Sequence, residues 1–266
     1  MSLDPADRLQ GYCLPLSPSG TSSLIPAPPW HFACDALWVS CRVNPEAARD
    51  FLPPGLRPPP DPGAAAVGFF EWQWCTDSGA ELRDPVRAQF KEALIALDCL
   101  LGDEPVVRVP YAWVDNAVSL VRGFVQGMPK SFGSIWLTRG YPVGRAGSRR
   151  GPGGEFGAVV SADGRRLASA AVTLAESVPA PPYLSDRPMI HSRHFPGWGP
   201  ALPATESLVR SAISNAEFGE IWRGDATLEF HDIADQDLAR LAPVEVGPGY
   251  VFSYAETLSP GSLALG

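Results

Sequence analysis

Prolines and glycines punctuate this chain too often for long helices to form. Its 266 residues include 29 prolines and 26 glycines. Proline removes a backbone donor and clashes inside a helix, and glycine weakens one. The uninterrupted segments left between them are short, and many are rich in aromatic and β-branched residues, the composition of strands. We therefore expect a mainly β chain, antiparallel, with a few short helices, in one domain. Sandwich and barrel both fit that pattern. A hydrophobic content of 45%, with eight tryptophans, is enough for a sizeable core.

Residues 1–29 read as an extended N-terminal arm, because serine, glycine and proline dominate 17–29 and few residues there can pack. The body is expected to span 30–266. Strands are expected at 30–43, 64–75, 106–114, 132–139, 226–231 and 244–255, with a hairpin of 157–161 and 167–174 around Ala162-Asp163-Gly164. Residues 90–101 form an almost continuous apolar run that suits either a helix or a buried strand. A short helix starts at Asn44-Pro45 and another at Asp115 or Asn116, ending near Gly127. Residues 179–203, which include His191, His194 and Trp198, read as coil framed by prolines.

Several functions are set aside by composition. Net charge is −8 and the isoelectric point is near 5.0, with no basic run to neutralise phosphates, so nucleic acid is not an expected partner. No stretch is long and apolar enough for a membrane-spanning helix, and residues 1–10 lack the pattern of a signal peptide. The five cysteines are odd in number and form no CxxC, which fits reduced thiols in a cytoplasmic protein. The four histidines are scattered, so no metal is expected. There is no Ser-His-Asp spacing, glycine-rich dinucleotide fingerprint or phosphate loop, and no cofactor is expected.

One residue stands out by rarity. Of 21 lysines plus arginines only Lys91 and Lys130 are lysines. Arginine does the ordinary cationic work, and a lysine differs in that its amine can lose a proton and become a nucleophile. Lys130 sits in Gly127-Met128-Pro129-Lys130-Ser131, just past a helix end and at the entry to a strand. Two readings are open: a Schiff-base nucleophile, or a solvated lysine in a turn.

Four ordered segments carry a resemblance. They are Asn44-Pro45-Glu46-Ala47 through Leu52-Pro53-Pro54-Gly55-Leu56; Phe90-Lys91-Glu92-Ala93-Leu94-Ile95; Trp113-Val114-Asp115-Asn116 running to Pro129-Lys130; and Glu220-Ile221-Trp222-Arg223-Gly224 with Leu228-Glu229-Phe230. Together, over roughly 30–258, they resemble the acetoacetate decarboxylase-like superfamily. The resemblance implies a cone-shaped antiparallel β-barrel with additional sheet, and homo-oligomers. It implies that Lys130 forms an imine with a keto acid, that Glu92 is the carboxylate near its amine, and that Glu71 is a further carboxylate at the site. Ser131 is then placed to hydrogen-bond a substrate, with Met128, Phe32 and Phe70 as pocket walls.

This sequence departs from the decarboxylases at three points. Their second lysine, directly after the first, is Ser131 here. Their arginine on the first strand aligns with Cys34, with Arg42 further along. Their Gly-Arg-Glu in the preceding helix is Arg122-Gly123-Phe124. The sequence thus leaves burial as the sole means of lowering the Lys130 pKa. Three activities are compatible with it: decarboxylation of a β-keto acid, aldolase-dehydratase chemistry on another keto acid, and binding of a hydrophobic keto compound without turnover.

Overall fold

The computed structural model describes residues 8–231 and 235–264. Residues 1–7 of the arm, including most of the segment inspected for a signal peptide, lie outside the described residues. In chain order the elements are β1 (Trp30–Arg42), α1 (Pro45–Asp50), β2 (Leu56–Arg57), β3 (Ala64–Cys75), α2 (Pro85–Ala88), β4 (Gln89–Leu101), β5 (Glu104–Val114), α3 (Ala117–Gln126), β6 (Lys130–Phe132), β7 (Ser134–Leu137), β8 (Glu155–Ala162), β9 (Arg165–Val178), β10 (Met189–Phe195), β11 (Thr205–Phe218), β12 (Ile221–Phe230), α4 (Gln236–Ala239) and β13 (Glu245–Leu263).

Seven strands, β1-β3-β4-β5-β10-β11-β13, close into a ring because β13 pairs back onto β1. Its neighbours are antiparallel except for β5 and β10, which run parallel. The mainly β fold is as expected, with this one parallel seam in an otherwise antiparallel ring. From β13 the path continues through β12, β9, β8 and β7.

Two large cores result among the described residues, and they share strands; a small third cluster gathers Leu56, Cys99, Val106 and Ile190. Alternation along β1 sends Trp30, Phe32, Cys34, Ala36 and Trp38 to one face and Leu37, Val39 and Cys41 to the other. The first set joins Phe70, Trp72, Phe90, Leu94 and Phe252 in one cluster. The second joins Phe69, Ile95 and Leu97 with Ile135, Val160, Val172 and Leu228 of the continuing strands. Burial on both faces explains the uninterrupted apolar run at 90–101 and settles it as β4.

Three further segments differ from expectation. Residues 189–195 are not coil but β10, recruited by pairing with β5 and β11. β11 was not expected, because its polar-rich sequence hides the alternation; pairing with β13 sustains it. The strand expected at 132–139 is divided at Gly133 into β6 and β7. The arm packs more than its composition implies: Ile25 is fully buried, and the Tyr12 ring meets Trp30 edge-on with centroids 6.2 Å apart. No helix among the described residues is long and apolar enough to cross a membrane.

Candidate active site

The ring encloses a cavity of about 460 Å³, within the range of small-molecule sites. Helix α3 and the turn after it deliver its key side chains. The Asn116 side chain caps α3, accepting from the Val118 N–H at 2.8 Å and the Ser119 N–H at 3.4 Å. Asp115 instead accepts from the Lys91 N–H at 2.7 Å. The helix ends where Gly127 adopts a left-handed φ of +79° and the Met128 N–H donates to the Gly123 carbonyl at 2.9 Å. Pro129 then forbids continuation, and Lys130 opens β6 beside Ala112 of β5.

Lys130 is buried, at 8% exposure. Its Nζ lies 2.6 Å from Glu92 Oε2 and donates to Ser119 Oγ at 3.0 Å. It also lies 5.5 Å from the centre of the Phe90 ring. The aliphatic stem of Lys130 runs so close to α3 that a Cβ at residue 123 would stand 2.8 Å from its Cγ and Cδ. Glycine at 123 is what allows the helix and the lysine to pass. Lys91, by contrast, pairs with Asp115 at 3.8 Å and lies over the exposed Trp136.

Burial lowers the Lys130 pKa, the Glu92 carboxylate opposes that fall, and the Arg122 guanidinium adds to it. Desolvation is the dominant influence in a site this deep. Arg122 corrects the expectation that burial acts alone: the cation absent at residues 34 and 131 is supplied from α3. Arg122 sits in an aromatic box, its guanidinium carbon 4.3 Å from the Trp74 ring centre and 5.0 Å from those of Trp30 and Phe32. It is 1% exposed, and none of its three guanidinium nitrogens has a hydrogen-bond partner among the described residues. Burial draws its pKa down to about 9, which leaves it charged at neutral pH.

Glu256 and His191 also line the cavity. Glu256 on β13 has its pKa pushed up to about 7 by burial, although the Tyr254 hydroxyl donates to its Oε2 at 2.7 Å. A carboxyl with that value exchanges protons near neutrality. His191 Nε2 lies 3.1 Å from Ser211 Oγ, and burial pulls its pKa down to about 3, so the ring is neutral. Its Nδ1 has no partner among the described residues. No group of three or more His, Cys, Asp or Glu among the described residues is arranged to hold a metal ion.

Of the residues singled out in the sequence, Lys130, Glu92, Met128, Phe32 and Phe70 line this cavity. Glu71 and Ser131 do not. Glu71 lies between Phe70 and Trp72, so alternation turns it to the opposite face of β3, where Arg139 donates to its Oε1 at 3.0 Å. Ser131 follows Lys130 on β6 and faces outward for the same reason.

Sequence reasoning missed Arg122, Ser119, Glu256 and His191, though two had readable signals. Arg122 falls four residues after the buried Val118, on the inward stripe of α3. Glu256 falls in the inward series Phe252, Tyr254, Glu256, Leu258.

A closed ring around a buried lysine, two buried carboxyl groups and a guanidinium without a hydrogen-bond partner among the described residues forms a pocket of a size and polarity suited to a small molecule. The chain belongs to the acetoacetate decarboxylase family, whose model, Acetoacetate decarboxylase (ADC), matches residues 13–265. No curated protein sequence matches it. Among solved structures it is 50% identical to the enduracididine biosynthesis enzyme MppR complexed with the condensation product of pyruvate and imidazole 4-carboxaldehyde, covering 98% of each chain with a TM-score of 0.95. MppR complexed with pyruvate matches at 51% identity, 97% and 98% coverage and a TM-score of 0.93. An acetoacetate decarboxylase-like enzyme from Sphingomonas wittichii RW1 is 27% identical over 95% of this chain and 98% of that one, with a TM-score of 0.86.

Proposed function

We propose that the protein is a Schiff-base aldolase-dehydratase: Lys130 forms an imine with a small 2-oxo acid, and the derived enamine condenses with an aldehyde. The observation that carries this reading is the Arg122 guanidinium, buried and without a hydrogen-bond partner, beside a lysine of lowered pKa. A planar fork of donors suits a carboxylate held at two points.

The Lys130 amine attacks the C2 carbonyl, water leaves, and a protonated imine remains. Loss of a C3 proton, with Glu92 beside the nitrogen as base, gives the enamine. The enamine carbon attacks the aldehyde carbonyl carbon while Glu256 delivers a proton to its oxygen. Loss of a second C3 proton with that hydroxyl as water yields the unsaturated product imine, and hydrolysis frees the product and Lys130. A Glu256 pKa near 7 suits the acid role.

Arg122 also favours this route over decarboxylation. A carboxylate paired to a guanidinium is stabilised in the ground state, and that stabilisation is lost as carbon dioxide departs. The MppR structures, with pyruvate and with its condensation product, support the same reading for a chain half identical to them.

The test is reductive trapping. Incubation with pyruvate and borohydride is expected to add the mass of one pyruvic acid less water plus two hydrogens, mapped to Lys130, with no adduct in Lys130→Arg. Pyruvate plus an aromatic aldehyde is expected to give the dehydrated condensation product, and acetoacetate no carbon dioxide above the Lys130→Arg background. Absence of a Lys130 adduct overturns the imine; rapid carbon dioxide release from acetoacetate overturns the aldol assignment.

A further inference from the structure

A second cavity of about 360 Å³ adjoins the first, and Gln126, Arg210, Ser211 and Leu258 line both. Tyr12 and Pro28 of the arm form part of its wall. No aspartate or glutamate lines it, in a chain of net charge −8. It carries two arginines that are not equivalent. Arg210 holds both carboxylate oxygens of Glu104 and is neutralised. Arg193, two residues beyond His191 on β10, is exposed, stacks on Phe195 at 4.8 Å, and has no carboxylate partner among the described residues.

The main cavity's own lining includes Asp186, in the segment before β10, which is exposed and has no ion-pair partner among the described residues. A small anion passing Asp186 meets an unneutralised carboxylate. Approaching through the second cavity it meets an unneutralised guanidinium and the hydroxyls of Ser207, Ser259 and Ser262. The second cavity also reaches Trp30, which lies 5.0 Å from the Arg122 guanidinium.

We infer that the second cavity is an entry vestibule for the carboxylate-bearing substrate, with Arg193 as its first contact before Arg122. This rests on the proposed use of a 2-oxo acid. The vestibule selects for a small organic anion, and a neutral carbonyl compound gains nothing from it. Arg193 acts on passage and does not take part in bond making, so it alters the rate of association and not the rate of imine formation at saturation.

The test is stopped-flow tryptophan fluorescence with pyruvate, in parallel with borohydride trapping at saturating pyruvate. Wild-type association is expected to slow as ionic strength rises. Arg193→Gln is expected to associate about 3- to 10-fold more slowly at low ionic strength and to lose that salt dependence. Arg193→Glu is expected to be slower still, and Arg193→Lys close to wild type. Saturated trapping stays unchanged in all three, and association of neutral pyruvamide is unaffected. Equal association by wild type and Arg193→Glu, or salt-independent association by wild type, overturns the vestibule. Because fluorescence reports binding whether or not an imine forms, salt-dependent association without a Lys130 adduct refutes the Schiff-base reading alone.

Discussion

Replacing Arg122 with methionine is expected to strengthen the fold and weaken the enzyme at once. The guanidinium is 1% exposed and lacks a hydrogen-bond partner among the described residues. Exchanging a buried charged group for an apolar one of similar volume stabilises by about 1–4 kcal/mol. The cation–π contacts with Trp74, Trp30 and Phe32 offset this by about 2 kcal/mol. The midpoint of that range leaves a net gain of about 0.5 kcal/mol, which raises the melting temperature of a chain this size by about 1–2 °C. Binding moves the other way. Each hydrogen bond from a charged donor contributes about 1.5–3 kcal/mol, so losing a two-point clamp on carboxylate weakens pyruvate by about 100-fold or more. The Lys130 pKa also rises, because the Arg122 charge helps to depress it, and the pH profile of trapping shifts upward. Thermal unfolding, pyruvate titration and trapping against pH measure the three effects. An Arg122→Met protein that melts below the wild type and binds pyruvate equally well refutes the reasoning.

Glu256→Gln is expected to flatten a pH dependence of stability. The folded pKa of about 7 stands above an ordinary 4.5, so the fold favours the protonated form. The stability this contributes is full below about pH 4.5 and is lost as pH rises through about 7, by on the order of 3 kcal/mol. Urea melts at about pH 5 and pH 8 read it, and an unchanged slope in the variant counts against it. Gly123→Ala gains up to about 1 kcal/mol of helix propensity, but its methyl collides with the buried Lys130 stem at a cost of about 1–3 kcal/mol, so trapping is expected to slow and the melting temperature to fall slightly; normal trapping kinetics contradict the packing described. Ser119→Ala removes the hydroxyl that accepts from Lys130 Nζ, and a loss of about 1 kcal/mol slows imine formation about 5-fold. Single-turnover trapping decides this, a rate equal to wild type being the contrary result.

What the sequence revealed followed from local chemistry. Lysine scarcity and the Pro129-Lys130 turn singled out Lys130, which the fold buries in the cavity, and alternation with turn residues placed most of the strands. What it hid depended on ring closure. The segment 189–195 looks like coil until β5 is seen beside it. The strand at 205–218 gains its pairing from β13, some fifty residues later. The family resemblance implies a site carboxylate at Glu71, yet a strand sends successive residues to opposite faces, and the register with β4 brings Glu92 to the cavity and Glu71 out of it. Arg122 was hidden because an arginine among 19 draws no notice; only its place on the buried stripe of α3 distinguishes it.

The position of the second cation bears directly on the reaction proposed. A lysine directly after the nucleophile, as at the residue now occupied by Ser131, acts as a point charge that lowers the neighbouring pKa. An arginine reaching across from α3 lowers it as well, and none of its three nitrogens has a hydrogen-bond partner among the described residues. In the proposed reaction one residue then couples two functions: it makes the amine available and keeps the carboxylate in place. In the proposed reaction the carboxylate therefore serves as a handle, and bond making moves to C3. That division predicts that Arg122→Lys retains part of the lowered Lys130 pKa while losing the two-point clamp. Trapping at saturating pyruvate would stay near wild type, with the pyruvate concentration needed to reach it raised about tenfold or more. Parallel losses of both quantities would show that the two functions do not reside in this side chain.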